Sequence, residues 1–279
     1  MNEPHGTKGI SGTDLPRRSP PLLEFAHVTV VKGEKRLLDD LTVCIRDGEH
    51  VAILGPNGSG KSSFIRTINR EYYPVLGTGG EVVFRVRGRD VWDVFDLRGL
   101  FGIVSPDLQY AYTRNVTGRE VVLSGFFSSV GLFNHHITPA MEERADQVLR
   151  FLGVEHLSSR PMDEMSSGEA RRLLIGRALV HNPKALILDE PTNSLDLHAL
   201  HTFRQTLRKI ARSGVGIIMA THNLHDIIPE ITRVILMRDG GFFMDGPKED
   251  VLTDANIRYL FRVPFRIREE GGWYYASGY

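Results

Sequence analysis

The run Gly55 to Ser62, GPNGSGKS, constrains this chain more than any other, because it fits the spacing G-x-x-x-x-G-K-[ST] of a loop that cradles phosphates. The preceding Val51-Ala52-Ile53-Leu54 is short, apolar and rich in branched side chains, which predicts a buried strand, and Ser63 to Ile68 continues as a helix. Strand, glycine loop, helix is the order such a loop requires. Gly55, Gly58 and Gly60 let consecutive backbone N–H groups turn inward on phosphate oxygens at a helix N-terminus. The stretch Gly55, Pro56, Asn57, Gly58, Ser59, Gly60, Lys61, Ser62 and Ser63 is therefore the expected nucleoside triphosphate site. Lys61 brings a point charge to the β and γ phosphates, and the Ser62 hydroxyl is a magnesium ligand.

A second element lies far downstream. Ala185-Leu186-Ile187-Leu188-Asp189-Glu190 is an apolar strand ending in two carboxylates, where an α/β sheet carries its chemistry. Asp189 is expected in the magnesium shell, and Glu190 as the base that polarises the attacking water. Taken alone, such a segment is an ordinary strand running into an acidic turn; the glycine loop upstream gives it meaning.

Between them, Met165-Ser166-Ser167-Gly168-Glu169 precedes the basic helical run Ala170 to Leu179. Asn193-Ser194-Leu195-Asp196 follows Glu190-Pro191-Thr192, and Thr221-His222 closes the apolar strand Gly216 to Ala220. With these motifs in this order, the chain from Leu22 to Gly246 resembles the ATP-binding cassette (ABC) ATPases. That resemblance implies an α/β fold: a P-loop NTPase core with a mainly parallel sheet, an antiparallel N-terminal β subdomain and an inserted helical lobe. It implies ATP and Mg2+ as cofactors. It makes Ser166, Ser167, Gly168 and Glu169 the signature that meets the γ-phosphate held by a second subunit, Asp196 the D-loop carboxylate, and His222 the switch histidine; the catalytic set is then Glu190, His222 and Lys61. Four positions depart from the family pattern. Lys32 stands where an aromatic ring usually stacks on adenine. Pro106 stands where a magnesium-sensing glutamine is usual, with Gln109 the candidate substitute. The signature carries Ser167 for glycine and Glu169 for glutamine.

No apolar run approaches the ~20 residues that span a bilayer, and residues 1–21 lack a signal-peptide core, so a cytoplasmic protein, peripheral on the inner face of the cell membrane, is expected. A formal net charge of +0 offers no general attraction for nucleic acid. Cys44 is the only cysteine, which excludes an internal disulfide and reads as a small buried group in the strand Leu41 to Ile45.

The expected organisation is a flexible leader over 1–21, the ATPase domain over 22–246 with its helical lobe at about 105–165, and a C-terminal helix and tail over 247–279. Further expectations are a strand at Leu100 to Val104, helices at Arg119 to Val130 and Pro139 to Leu152, a hairpin turn at Asp239-Gly240-Gly241, a terminal helix from Pro247 to Phe261 and a late strand or tail through Trp273, Tyr274 and Tyr275. Arg85, Arg87 and Arg89 read as the solvated face of a strand, and Phe126, Phe127 and Phe133 as lobe core or, by the family resemblance, as the lining of the groove that docks a coupling helix of the transmembrane partner. The pairs His198/His201 and His222/His225 have metal-compatible spacing but lack an aligned third ligand.

A cassette without a membrane segment implies the ATP-hydrolysing subunit of an ABC transporter, working as a homodimer or paired cassette and energising a separate transmembrane permease. The second reading is a soluble ABC ATPase acting on nucleic acid or ribosomes, which Pro106 favours and the single cassette and neutral charge disfavour. Intact Lys61, Asp189, Glu190 and His222 argue against a pseudo-ATPase, and the lack of an N-K-x-D motif argues against a GTPase.

Overall fold

The computed structural model describes residues 19–75, 80–112, 116–132 and 134–278, so nearly all of the expected leader, Asn115 and Phe133 lie outside the described residues. In chain order the elements are β1 Leu23–Lys32, β2 Lys35–Ile45, β3 His50–Leu54, α1 Lys61–Ile68, β4 Val83–Val86, α2 Val94–Leu100, β5 Phe101–Val104, α3 Pro106–Ala111 and α4 Gly118–Ser124. They continue as α5 Pro139–Leu152, α6 Ser167–Leu179, β6 Ala185–Asp189, α7 Leu197–Arg212, β7 Gly216–Thr221, β8 Arg233–Arg238, β9 Gly241–Pro247, α8 Lys248–Val251, α9 Asp254–Phe261, β10 Arg266–Glu270 and β11 Trp273–Ser277.

The main sheet runs β5-β6-β7-β3-β8-β9, parallel except for the β8–β9 pair. β6 and β7 are buried along their whole lengths, as strands covered on both faces must be, and their sequences ALILD and GIIMAT are accordingly almost uninterrupted apolar runs. β3 divides its side chains between two cores. Ala52 and Leu54 join a cluster with α6, α7 and the lobe helices, while Val51 and Ile53 join one with α1 and the antiparallel sheet β2-β1-β4. Phe64 of α1 is fully buried there, edge-on to Phe25 at 5.4 Å and to Phe242 at 5.5 Å, which fixes α1 beneath the loop it extends.

Register positions the site. Leu54 pairs with Thr221 across β3 and β7, and Asp189 with Ala220 across β6 and β7. The ends of the three strands therefore meet at the carboxyl edge of the sheet, where such sheets bind ligands.

The mainly parallel core, the antiparallel N-terminal sheet and the helical segment between β5 and β6 agree with expectation. Several details differ. Leu100 ends α2, so the strand begins at Phe101. The helix expected from Arg119 to Val130 stops at Ser124 and passes into a short 3-10 turn. The terminal helix is two helices, because the Thr253 hydroxyl accepts from Asn256 N and caps a fresh start at Asp254. Cys44 is half-buried, not buried. Of the three arginines only Arg85 lies in β4; each meets a local partner, Asp90 for Arg85, Asp47 for Arg87 and the Trp92 ring for Arg89. Trp273 to Tyr275 do form a strand, paired with β10 in a C-terminal hairpin.

Candidate nucleotide site

The loop between β3 and α1 has the shape its glycines permit. Gly60 at φ 109° lets the chain turn directly into α1, and a Cβ on Gly55 would stand 2.2 Å from the Met237 carbonyl oxygen. The loop is anchored by backbone bonds from two distant segments: Gly55 N donates to Thr221 O at 3.2 Å, and Gly240 N donates to Ser59 O at 2.9 Å.

Lys61 is only 5% exposed. Its ammonium donates to Gly55 O at 2.8 Å and Pro56 O at 3.0 Å and lies 3.1 Å from Glu190 Oε1. Glu190 Oε2 is 2.6 Å from His222 Nδ1. Ser62 Oγ donates to Asp189 Oδ1 at 3.1 Å, across a sequence gap that only the sheet closes. Burial pushes the Asp189 carboxyl above its ordinary pKa, and the Ser62 hydrogen bond opposes that rise. Glu190 is held at φ 44°, unusual for a residue with a Cβ and costing on the order of 1–3 kcal/mol. Its N–H donates to Ala220 O at 2.9 Å, so β7 holds that turn.

Ser166 caps α6 in a reciprocal box with Glu169: Glu169 N donates to Ser166 Oγ, and Ser166 N donates to Glu169 Oε2 at 2.8 Å. Those bonds from Ser166 hold the Glu169 carboxyl below its ordinary pKa. Ser167 Oγ donates to Ser194 O at 3.3 Å, which ties the signature to the turn carrying Asp196. Asp196 caps α7 through Ala199 N at 2.8 Å. Gly168 packs against α7, where a Cβ would stand 2.6 Å from Ala199 Cβ.

Other expected residues are distributed differently. Phe25, the nearest upstream ring that could replace an adenine platform, is buried against Phe64 and Phe84 and has no free face. Lys32 instead lies 5.2 Å over the Tyr72 ring. Sequence reading missed Tyr72, because nothing in its local pattern announces a partner in β1. Gln109 belongs to α3, but its side chain lies outside the described residues. Among the described residues no group of three or more His, Cys, Asp or Glu side chains could hold a metal ion, so His198/His201 and His222/His225 form no such centre. Phe126 is half-buried beside His181, and Phe127 stacks on His135. Sequence reading also missed Asp226, whose only signal was a carboxylate set among Leu224, Ile227 and Ile228.

The family model described as ABC transporter matches residues 38–193, more than half the chain. The chain belongs to the ABC transporter ATP-binding family. A relative from Bacillus subtilis, an uncharacterized ABC transporter ATP-binding protein named YlmA, is 30% identical over 253 residues, covering 88% of this chain and 93% of its own. Among solved structures, cbiO1 from Clostridium perfringens, part of the ABC transporter complex cbiONQ, aligns with a TM-score of 0.71 at 26% identity, over 86% of this chain and 94% of that one. The cassette MJ0796, in a dimeric post-hydrolysis state bound to ADP and Pi, aligns with a TM-score of 0.64 at 26% identity, over 81% and 98%. Members of this family are ATP-binding ATPases, and the cassette is of the transporter type.

Proposed function

We propose that this cassette hydrolyses ATP with magnesium, closes as a pair of cassettes around the nucleotide and drives a separate transmembrane permease. The observation that carries this reading is the contact chain at the carboxyl edge of the sheet, with Lys61, Glu190 and His222 joined at 3.1 and 2.6 Å and Ser62 joined to Asp189 at 3.1 Å.

In this reading the backbone from Gly55 to Ser63 cradles the phosphates, and Lys61 leaves its carbonyl partners to meet the β and γ oxygens. Ser62 Oγ and Asp189 Oδ1 are hard oxygen donors on one side of the cradle, a set that suits a small divalent cation keeping most of its waters. Magnesium, when bound, neutralises charge on the phosphate oxygens. Glu190 accepts the proton of the attacking water, and His222 orients the carboxylate. The N-terminus of α6, with Ser166, Ser167, Gly168 and Glu169, is an anion-binding end for the partner cassette's γ-phosphate. Among the described residues its side chains meet Arg160 and the Ser194 carbonyl, neither of which belongs to the phosphate loop, and that supports a role in trans. Asp196 would stand at the same interface, and Gln109 would sense the metal from α3. The dimeric MJ0796 and the cbiONQ membership of cbiO1 support pairing and a membrane partner.

Among the described residues no helix is long and apolar enough to cross a membrane. Attachment to the inner face would then come through the permease. Purifying the tagged chain from gently solubilised membranes tests this, with a polytopic membrane protein expected in stoichiometric amount; ribosomes or DNA in its place would overturn it.

Base recognition is expected to be loose, because the Lys32 side chain supplies no rigid π face. ATP and GTP should compete with similar affinities. Lys32→Tyr should tighten ATP by about 1 kcal/mol, the scale of one aromatic contact. Competitive titration of both nucleotides decides this; strong wild-type preference for ATP with no gain in the variant would exclude it.

A further inference from the structure

Beside the contact chain of the site lies a second polar cluster. The Asp226 carboxylate is 1% exposed, four positions beyond His222, in a 3-10 turn between β7 and β8. It accepts from Thr221 Oγ1 at 2.6 Å and from Thr192 Oγ1 at 2.8 Å. Thr192 follows Glu190 by two residues, and Thr221 directly precedes His222. The Thr221 hydroxyl also accepts from Asn223 N at 3.0 Å, and Asn223 Oδ1 accepts from His225 N at 3.0 Å. His222 is therefore gripped on both flanks by one hydroxyl, which a single carboxylate holds.

Burying a carboxylate this deeply is costly unless its oxygens are satisfied. Burial pushes the Asp226 carboxyl above its ordinary pKa, while the Thr221 and Thr192 hydroxyls and the nearby Arg204 charge oppose the rise. The cluster has its own cover. The Arg204 guanidinium lies 5.4 Å over the Trp273 ring, and His225 meets Tyr275 edge-on at 5.2 Å, so the C-terminal hairpin packs over the turn that carries Asp226. The arrangement thus ties together the turn after β6 and the turn after β7, the two segments that carry Glu190 and His222.

We propose that Asp226 is a positioning residue for hydrolysis, holding Glu190 and His222 in register by bridging Thr192 and Thr221. The proposal rests on the reading of Glu190 and His222 given above. Asp226 accepts from the hydroxyls of Thr192 and Thr221, and acts through the backbone to each side of Glu190 and His222. Its loss removes the side-chain tie between the Thr192 turn and the Thr221 turn, leaving the backbone bond from Glu190 N to Ala220 O and depriving the 2.6 Å contact between Glu190 and His222 of its outer support.

The test compares the steady-state kinetics of the full chain with those of Asp226→Ala, Asp226→Asn, Thr192→Val, Thr192→Ser and Glu190→Gln, together with ATP affinity from titration of the purified protein. Because an error of ~1 Å in catalytic geometry costs about 100-fold, Asp226→Ala is expected to lower kcat by roughly 10- to 100-fold while ATP affinity and KM stay within about threefold. Asp226→Asn, which keeps one acceptor oxygen, should recover part of that loss. Should Asp226→Ala fail to fold, the threonine pair decides: Thr192→Val lowers kcat several-fold and Thr192→Ser restores it. Unchanged kcat in Asp226→Ala, or in Thr192→Val where the alanine variant does not fold, overturns the proposal provided Glu190→Gln is inactive. Parallel loss of ATP affinity and kcat also overturns it, since that marks collapse of the site instead of misalignment. If Glu190→Gln keeps its turnover, the catalytic reading fails and this proposal with it.

Discussion

Glu190→Gln is expected to stop turnover while leaving ATP bound. The amide keeps the shape of the carboxylate and can still meet His222 Nδ1, but it cannot take a proton from water. General-base removal of this kind costs about 100- to 10,000-fold. Lys61 also loses its anionic neighbour at 3.1 Å, a change that leaves the ammonium freer to meet phosphate and does not weaken nucleotide binding. If the proposed pairing holds, blocking hydrolysis leaves release of ATP as the route by which the cassettes reopen, so sizing chromatography with magnesium and ATP should show the variant as a dimer. A variant that stays monomeric under these conditions, while the wild type hydrolyses ATP normally, would count against closure around the nucleotide.

Lys61→Ala acts one step earlier. It removes a nearly buried ammonium from the phosphate cradle, and charge-assisted hydrogen bonds of this kind contribute roughly 1.5–3 kcal/mol each. Nucleotide affinity should therefore fall by about 10-fold or more, with turnover falling further, because the same charge serves the transition state. The two variants separate binding from chemistry: Glu190→Gln binds without hydrolysing, and Lys61→Ala fails first at binding. Unchanged ATP affinity and unchanged turnover in Lys61→Ala would remove Lys61 from the phosphates and undo the loop assignment.

The parts legible in the sequence were those whose chemistry forces a local pattern. A backbone cradle needs glycine where a Cβ would strike Met237 O, and a strand covered on both faces needs an unbroken apolar run, so β3, β6 and β7 and the residues at their ends could be read directly. Contacts made across the fold left no such mark. Lys32 over Tyr72 joins β1 to the segment after α1, and Asp226 joins two turns through the hydroxyls of Thr192 and Thr221. Composition cannot say which way a ring in a strand points, and the fold turns Phe25 inward against Phe64 and Phe84. The split of the terminal helix depended on one side-chain cap, Thr253, inside a run whose apolar spacing continues across it.

The strand order carries a consequence for the timing of synthesis. Among the described residues β3, which leads into the phosphate loop, pairs with β7 and β8, and the loop's own backbone anchors are Thr221 and Gly240. All of these are made long after the loop itself. A ribosome extending the chain at about 5–20 residues per second leaves the finished glycine loop without its supports for on the order of ten seconds. During that interval the nascent chain holds the whole phosphate motif without the bonds that fix its backbone. The loop thus gains its backbone anchors only after Thr221 and Gly240 have been made, when segments far apart in the chain have already met.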